Sequence, residues 1–293
     1  MTSRYSSLER PGLDEAALRD ALCAPKGPYG RLDVVAETGS TNADLAIHAA
    51  SHASDWPDLS VLTAEQQSAG RGRLGRSWIA PERSSLILSI LLRPHNPQGR
   101  PLPTHSYSWL SLLAALALAE SIEERTEISP QLKWPNDVLV DGRKLAGVLA
   151  QLVAGTNEGP AAVIVGVGAN VSLTDQELPV PTATSLLLEY ATTTDRNVLL
   201  RAFLRRFADL YASFRAVDGD ARRDWADGTT LAQRVGDRMV TLGQDVRVEL
   251  PGGVELLGRA LGLDEHGALL VRDYDDERHT VTAGDVVHLR PVP

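Results

Sequence analysis

Apolar and polar positions follow two different rhythms along this chain, and the change falls near residue 228. Before it, long apolar segments alternate with polar connections. Residues 85–93 (SLILSILLR) and 161–167 (AAVIVGV) are continuous apolar runs of strand length, suited to a sheet covered on both faces. Shorter strands are predicted over 31–36, 59–65, 131–134 and 138–140, and a longer one over 144–153. Asp141-Gly142 between the last two is a two-residue hairpin turn. Helical spacing predicts helices over 13–23, about 43–53, 109–125 and 197–214. In the last of these, Leu199, Leu200, Phe203, Leu204, Phe207, Leu210, Tyr211 and Phe214 form one apolar stripe, a core-packing face. The Ser/Thr/Asn cluster before residue 43 can cap its helix with a side-chain oxygen.

After residue 228 the runs shorten. Residues 239–290 contain VTL, DVRVEL, VELLGRALGL, ALLVR, HTVT and DVVHL, separated by turn residues, as in a small all-β barrel. The fold class expected is α+β. A polar tail (1–12) and short helix occupy 1–30, a mixed-sheet domain 31–233, and a small barrel 234–293.

Composition narrows the function. Of 293 residues, 43% are hydrophobic and 23% charged, which is ordinary for a water-soluble globular chain. The net charge of −9 argues against non-specific binding to nucleic acid or anionic membrane, which positive surface drives, but allows a local basic site. One cysteine, Cys23, rules out an intrachain disulfide framework and a Cys-rich metal site; it reads as a small residue of the first helix. The start MTSRYSSLERPG has no signal-peptide core, and the run 109–119 is too short to span a bilayer. A cytoplasmic protein is expected.

Three segments carry chemistry. In Gly70-Arg71-Gly72-Arg73-Leu74-Gly75-Arg76, glycines let backbone N–H groups approach a ligand, and arginines offer forks for phosphate or carboxylate. Alone, this loop is equally a solvated basic turn or an RNA-binding segment. In Lys133-Trp134-Pro135-Asn136-Asp137, Lys133 offers a point charge, and Asp137 can hold Mg²⁺ or take a proton from an amine; a turn with a salt bridge reads the same way. Lys144, in Arg143-Lys144-Leu145-Ala146-Gly147, is by itself a surface lysine on a hairpin, while Gly147 inside a strand suggests a close approach. Gly166-Val167-Gly168-Ala169-Asn170 lacks the third glycine and following helix of a dinucleotide fingerprint.

Taken in order, these segments, with Thr38-Gly39-Ser40-Thr41-Asn42, Ala64-Glu65-Gln66-Gln67 and Trp78, resemble the biotin protein ligases over roughly residues 31–290. The resemblance implies an SH3-like terminal barrel. It also implies a reaction in which biotin and ATP give biotinyl-5′-AMP, and the acyl group then passes to a lysine of a biotin carboxyl carrier domain of acetyl-CoA carboxylase or another biotin-dependent carboxylase. On this resemblance Ser40, Thr41, Asn42 and Gln67 hydrogen-bond the biotin head, and Gly147 borders it. Arg71, Gly72 and Arg73 wrap carboxylate and phosphate, and Lys144 holds the carboxylate. Lys133 and Asn136 contact the nucleotide, as do Trp78 and, at adenine, Asn170. Arg73, Lys133, Asp137 and Lys144 form the catalytic set. Asp137 meets the incoming amine or helps hold Mg²⁺, and Arg76 is left unassigned, with anchoring of the loop as one reading. Residues 172–185 read as a lid that orders over the adenylate.

Some family members carry an N-terminal DNA-binding domain. The 30 or so residues before the first matching strand are too few for one, so no DNA binding is expected. Oligomeric state is not readable, and a weak homodimer is compatible with the resemblance. A lipoate or octanoate transferase shares the fold, but Cys23 lies upstream of every motif, away from any catalytic lysine. A non-enzymatic RNA-binding module would need aromatic–basic interleaving that is absent.

Overall fold

The computed structural model describes residues 10–155, 161–250, 252–282 and 284–288. Most of the expected polar tail, residues 1–9, lies outside them, as does the chain's end from 289. Seven strands build the first sheet: β1 (Arg31–Thr38), β2 (Ser60–Gln67), β3 (Ser85–Leu92), β4 (Gln131–Lys133), β5 (Asp137–Val140), β6 (Arg143–Val153) and β7 (Ala162–Asn170). Their order is β1-β2-β3-β7-β6-β5-β4. Only β1 and β2 run parallel; every other neighbouring pair is antiparallel, so the sheet is mixed.

The apolar runs follow from where their faces go. Along β3, Leu86, Leu88, Ile90 and Leu92 enter the large core, and the alternate residues face the other side. The large core packs under α1 (Glu15–Leu22), α3 (Trp109–Thr126) and α4 (Arg196–Ala216), with the predicted Phe203, Phe207 and Phe214 stripe buried in it. Helix α2 (Thr41–Ser51) covers part of the opposite face through Leu45 and Ala49 against Leu62, Leu91 and Ile164. The rest of that face is the floor of the site. Among the described residues, no helix is long and apolar enough to cross a membrane.

Helix α2 starts two residues before its predicted position, because Ser40 is the cap: its side chain accepts from Ala43 N. Thr41 and Asn42 therefore lie in the first helical turn. Cys23 caps the C-terminal end of α1, and burial raises its thiol pKa. Arg10 is fixed, not loose: it donates to Ser172 O at 2.8 Å and pairs with Glu177 at 2.6 Å.

The second sheet is antiparallel and five-stranded, in the order β11-β10-β9-β8-β12. Its strands are β8 (Asp245–Glu249), β9 (Glu255–Leu263), β10 (Leu269–Asp273), β11 (Arg278–Val281) and β12 (Asp285–His288). A boundary after residue 233 would cut a helix, α5 (Leu231–Arg238), which the sequence pattern did not predict. Val246, Val248, Val271 and Val286 join the same core as α3 and β7. The contact is also polar: Trp109 Nε1 donates to Glu265 O at 2.8 Å, and Trp134 Nε1 to Gly267 O at 3.0 Å. The terminal sheet is thereby held against the first.

A buried ion pair ties the N-terminal arm to this core. Arg196 at the start of α4 meets Glu65 of β2 at 2.6 Å, with side chains only 4% and 7% exposed. Glu65 also accepts from Leu13 N at 2.7 Å, and Arg196 donates to Pro11 O at 2.8 Å. Removing one partner strands the other charge in the interior. Arg196→Met should therefore lower unfolding free energy by about 3 kcal/mol in urea denaturation. The double variant Glu65→Gln/Arg196→Met should lose less than Arg196→Met alone; an equal or larger loss would show the two side chains to be uncoupled.

Candidate active site

All fourteen residues assigned by resemblance line one cavity of about 660 Å³, on the sheet face that α2 leaves open. It is the meeting point of the start of α2, the 70–76 loop, the β5–β6 hairpin, the end of β7 and β12. Two-residue alternation along β7 explains part of this, since Gly166, Gly168 and Asn170 share one face.

At one end, polar side chains bond to each other. Gln67 Oε1 accepts from Thr41 N at 2.8 Å and from Thr41 Oγ1 at 3.0 Å. Ser89 Oγ donates to Asn42 Oδ1 at 2.5 Å, and Asn42 Nδ2 donates to Leu149 O at 3.2 Å. Asn42 keeps one amide N–H beyond that bond. Ser89 was not singled out by the sequence, because a small polar residue in an apolar run carries no signal until its neighbour is known. Gly166 makes room for this cluster: a Cβ there would stand 2.2 Å from Asn42 Oδ1. A Cβ on Gly168 would strike Trp78 at 2.5 Å. The Trp78 indole Nε1 is shielded from solvent and has no hydrogen-bond partner among the described residues, which is a donor left for a ligand.

The hairpin supplies the charged centre. A register shift between Val138 and Leu139 pairs Leu139 with Lys144 while Asp137 pairs with Gly147. One extra residue turns Lys144 onto the face of Asp137, and the two meet at 2.6 Å. Gly147 leaves the space they use, since its Cβ would be 3.3 Å from Lys144 Nζ. Lys133, one strand over, is buried enough that desolvation pulls its pKa below the ordinary 10.5, with Asp137 opposing. Asn136 is a brace as well as a lining residue, donating to Val148 O at 2.6 Å.

The glycine–arginine loop is a tight turn: Gly72 N donates to Arg76 O at 2.6 Å, and Trp78 N to Gly70 O at 2.8 Å. Arg73 Nη2 donates to Gly284 O at 3.3 Å, and its burial lowers its pKa. Arg76 forms an ion pair with Asp285 of β12. Asp285 had no sequence signal, because 209 residues separate it from Arg76.

The segment expected as a lid is bonded at its C-terminal end to β6. Lys144 N donates to Thr182 O and Thr184 N to Lys144 O, both at 2.8 Å, so residues 182–184 run against β6. Asn170 Nδ2 donates to Thr184 O at 2.9 Å from the other side. Backbone bonds of this kind fix the segment's path, and Pro179, Val180, Thr182 and Ala183 form part of the cavity wall.

This arrangement has five cations and three carboxylates (Asp137, Glu249 and Asp285) lining one cavity beside a polar pocket. It can draw together two anions and hold an uncharged polar ring. The chain is similar to known proteins over most of its length. The model of the biotin/lipoate A/B protein ligase family matches residues 37–170, and that of the biotin protein ligase C-terminal domain matches 241–289. The biotin–[acetyl-CoA-carboxylase] ligase of Mycobacterium tuberculosis is 41% identical over 284 residues, covering 96% of this chain and 97% of that protein. The bifunctional ligase/repressor BirA of Bacillus subtilis is 30% identical over 91% of this chain and 77% of its own length. Among solved structures, the biotin protein ligase of Aquifex aeolicus in complex with biotin and ATP superposes with a TM-score of 0.66 at 27% identity, covering 89% of this chain and all of that one. The chain belongs to the biotin protein ligase family and is an enzyme of the ligase class.

Proposed function

We propose that this protein joins biotin to ATP as biotinyl-5′-AMP, releasing pyrophosphate, and transfers biotin to a lysine of a biotin carboxyl carrier domain. The observation that carries this reading is the convergence of Arg71, Arg73, Arg76, Lys133 and Lys144 on the cavity that also contains Ser40, Thr41, Asn42 and Gln67. The relatives support the substrates: one is a biotin–[acetyl-CoA-carboxylase] ligase, and another was solved in complex with biotin and ATP. Acetyl-CoA carboxylase or another biotin-dependent carboxylase is the source of the acceptor, and the cytoplasm, where ATP is abundant, is the site of action.

The chemistry follows from charge. A carboxylate oxygen must attack the α-phosphate, and both are anions, so catalysis rests on positioning and neutralisation. Ser40, Thr41, Asn42 and Gln67 hold the biotin head; an analogue that leaves these buried groups unpaired is rejected. Gly147 keeps the biotin path open beside Lys144, which holds the carboxylate. Arg71, Gly72, Arg73 and Lys133 take the phosphates, while Trp78, Asn136 and Asn170 border the nucleotide. In the second half-reaction the carrier amine attacks the acyl carbon, the acyl–phosphate bond breaks, and AMP leaves. Asp137, on the cavity wall beside Lys144, accepts the amine's proton.

Mg²⁺, when bound with ATP, would supply charge neutralisation on the phosphates, and Asp137 is the carboxylate of the catalytic set that could help hold it. Such an ion would usually need only one or two protein carboxylates beside the phosphates. The only group of three metal-ligating side chains among the described residues, Asp273, Glu277 and His279, lies on the terminal sheet and lines none of this cavity. Asp137 is engaged by Lys144 at 2.6 Å, and either role requires that pair to open when the amine or the metal arrives.

Pyrophosphate release should require ATP with biotin and stay at background with ATP and lipoate; the reverse preference would defeat the substrate assignment. Arg73→Ala and Lys144→Ala should each slow adenylate formation by more than about tenfold, or 1.4 kcal/mol, and near-normal rates in both would move the site elsewhere. Lys133 loses its proton as pH rises through its lowered pKa. The KM for ATP should therefore climb at a pH below the ordinary 10.5 of lysine. Arginine stays charged there, so Lys133→Arg should flatten that rise; an unchanged alkaline limb would remove Lys133 from phosphate binding.

A further inference from the structure

We infer that Asp285, on the terminal sheet, is a positioning residue that latches the 70–76 loop, so that closure of the phosphate-gripping arginines depends on the seating of that sheet. This rests on the reading that the loop grips the adenylate.

Two of the loop's three arginines dock on neighbouring residues of one short segment: Arg73 on the Gly284 carbonyl, Arg76 on the Asp285 carboxylate. The two bonds differ in kind. Arg73 has a neutral carbonyl at 3.3 Å, a weak partner that a phosphate oxygen outcompetes. Arg76 holds a full carboxylate; the Asp285 side chain is 18% exposed and that of Arg76 65%, so the pair is open to solvent on the arginine side and partly screened. The loop thus separates two jobs. Arg76 anchors, and Arg73 remains exchangeable between Gly284 and a ligand.

The placement of Asp285 within its own sheet points the same way. In the β8–β12 ladder it stands directly opposite Glu249. Two carboxylates opposed on one face weaken a sheet. A residue that breaks a local rule in this way is expected where function requires it. Here the cost is offset from outside the sheet. Besides its bond to Arg76, Asp285 raises the proton affinity of Arg73 and of Lys133, so it faces three cations of the cavity together. Were stability its only role, an uncharged residue opposite Glu249 would serve the ladder better.

The test uses the full chain and limited trypsin digestion without nucleotide or biotin, following cleavage after Arg71 and Arg73 by mass spectrometry. Asp285→Asn should speed cleavage at both by about threefold or more, the scale of a partly screened ion pair, with thermal midpoint unchanged. In steady state it should raise the KM for ATP by a similar factor while kcat stays within about twofold. The exchanged pair Arg76→Asp/Asp285→Arg should regain much of the protection, which also covers the case in which Asp285→Asn folds poorly. Wild-type cleavage rates in Asp285→Asn, or an exchanged pair no better protected than the single variants, would overturn the latch. The digestion needs neither substrate, so it fails or succeeds independently of biotin adenylation.

Discussion

Mutual repulsion among five cations is the constraint around which this molecule is arranged. In a chain of net charge −9, Arg71, Arg73, Arg76, Lys133 and Lys144 converge on one cavity, where desolvation already disfavours the charged form of Lys133 and of Arg73. Such a cluster is unfavourable unless anions are interposed. Asp137 and Asp285 provide them, one on Lys144 and one on Arg76. They come from opposite ends of the assembly, the first sheet and the terminal sheet. The cluster is therefore complete only when the two sheets are seated together. The same cations that need these carboxylates are suited to phosphate and carboxylate substrates, whose arrival supplies further negative charge.

The fold serves this by fixing backbone positions. A mixed sheet covered on one face by α3 and α4 leaves its other face to α2 and to the cavity. The register shift in the β5–β6 hairpin aims Lys144, and the glycines at 147, 166 and 168 leave volume for Lys144, Asn42 and Trp78. The buried Glu65–Arg196 pair fastens the N-terminal arm next to β2, two residues before Gln67. Arg10 on that arm pairs with Glu177 in the segment that walls the cavity. Distant parts of the chain thus meet the site through charge pairs, while the apolar core sets the frame.

Much of this was legible in sequence where the information is local. The strands from 85 and 161 and the long helix at 197–214 are visible as apolar runs or stripes, and Asp141-Gly142 announces the hairpin that brings Asp137 and Lys144 together. The eight-residue helix α5 was missed because so short a segment shows barely two turns of periodicity. Pairings such as Arg76 with Asp285 and Glu65 with Arg196 were invisible for another reason. An ion pair leaves no mark on either residue's neighbours, and only the folded chain brings positions 209 or 131 residues apart into contact. The bonds that tie residues 182–184 to β6 were equally invisible, because two prolines and absent periodicity carry no sign of which strand edge a segment will meet.

Direct detection of the acyl-adenylate tests the central claim most closely. Incubation of the purified protein with biotin and α-labelled ATP, followed by gel filtration and mass spectrometry, should yield biotinyl-5′-AMP carrying the label and retained by the protein. Lys144→Ala should lower its formation by more than about tenfold. Labelled AMP or ADP without any biotin adduct, or an adduct formed equally well by Lys144→Ala, would contradict the assignment of this cavity to biotin adenylation.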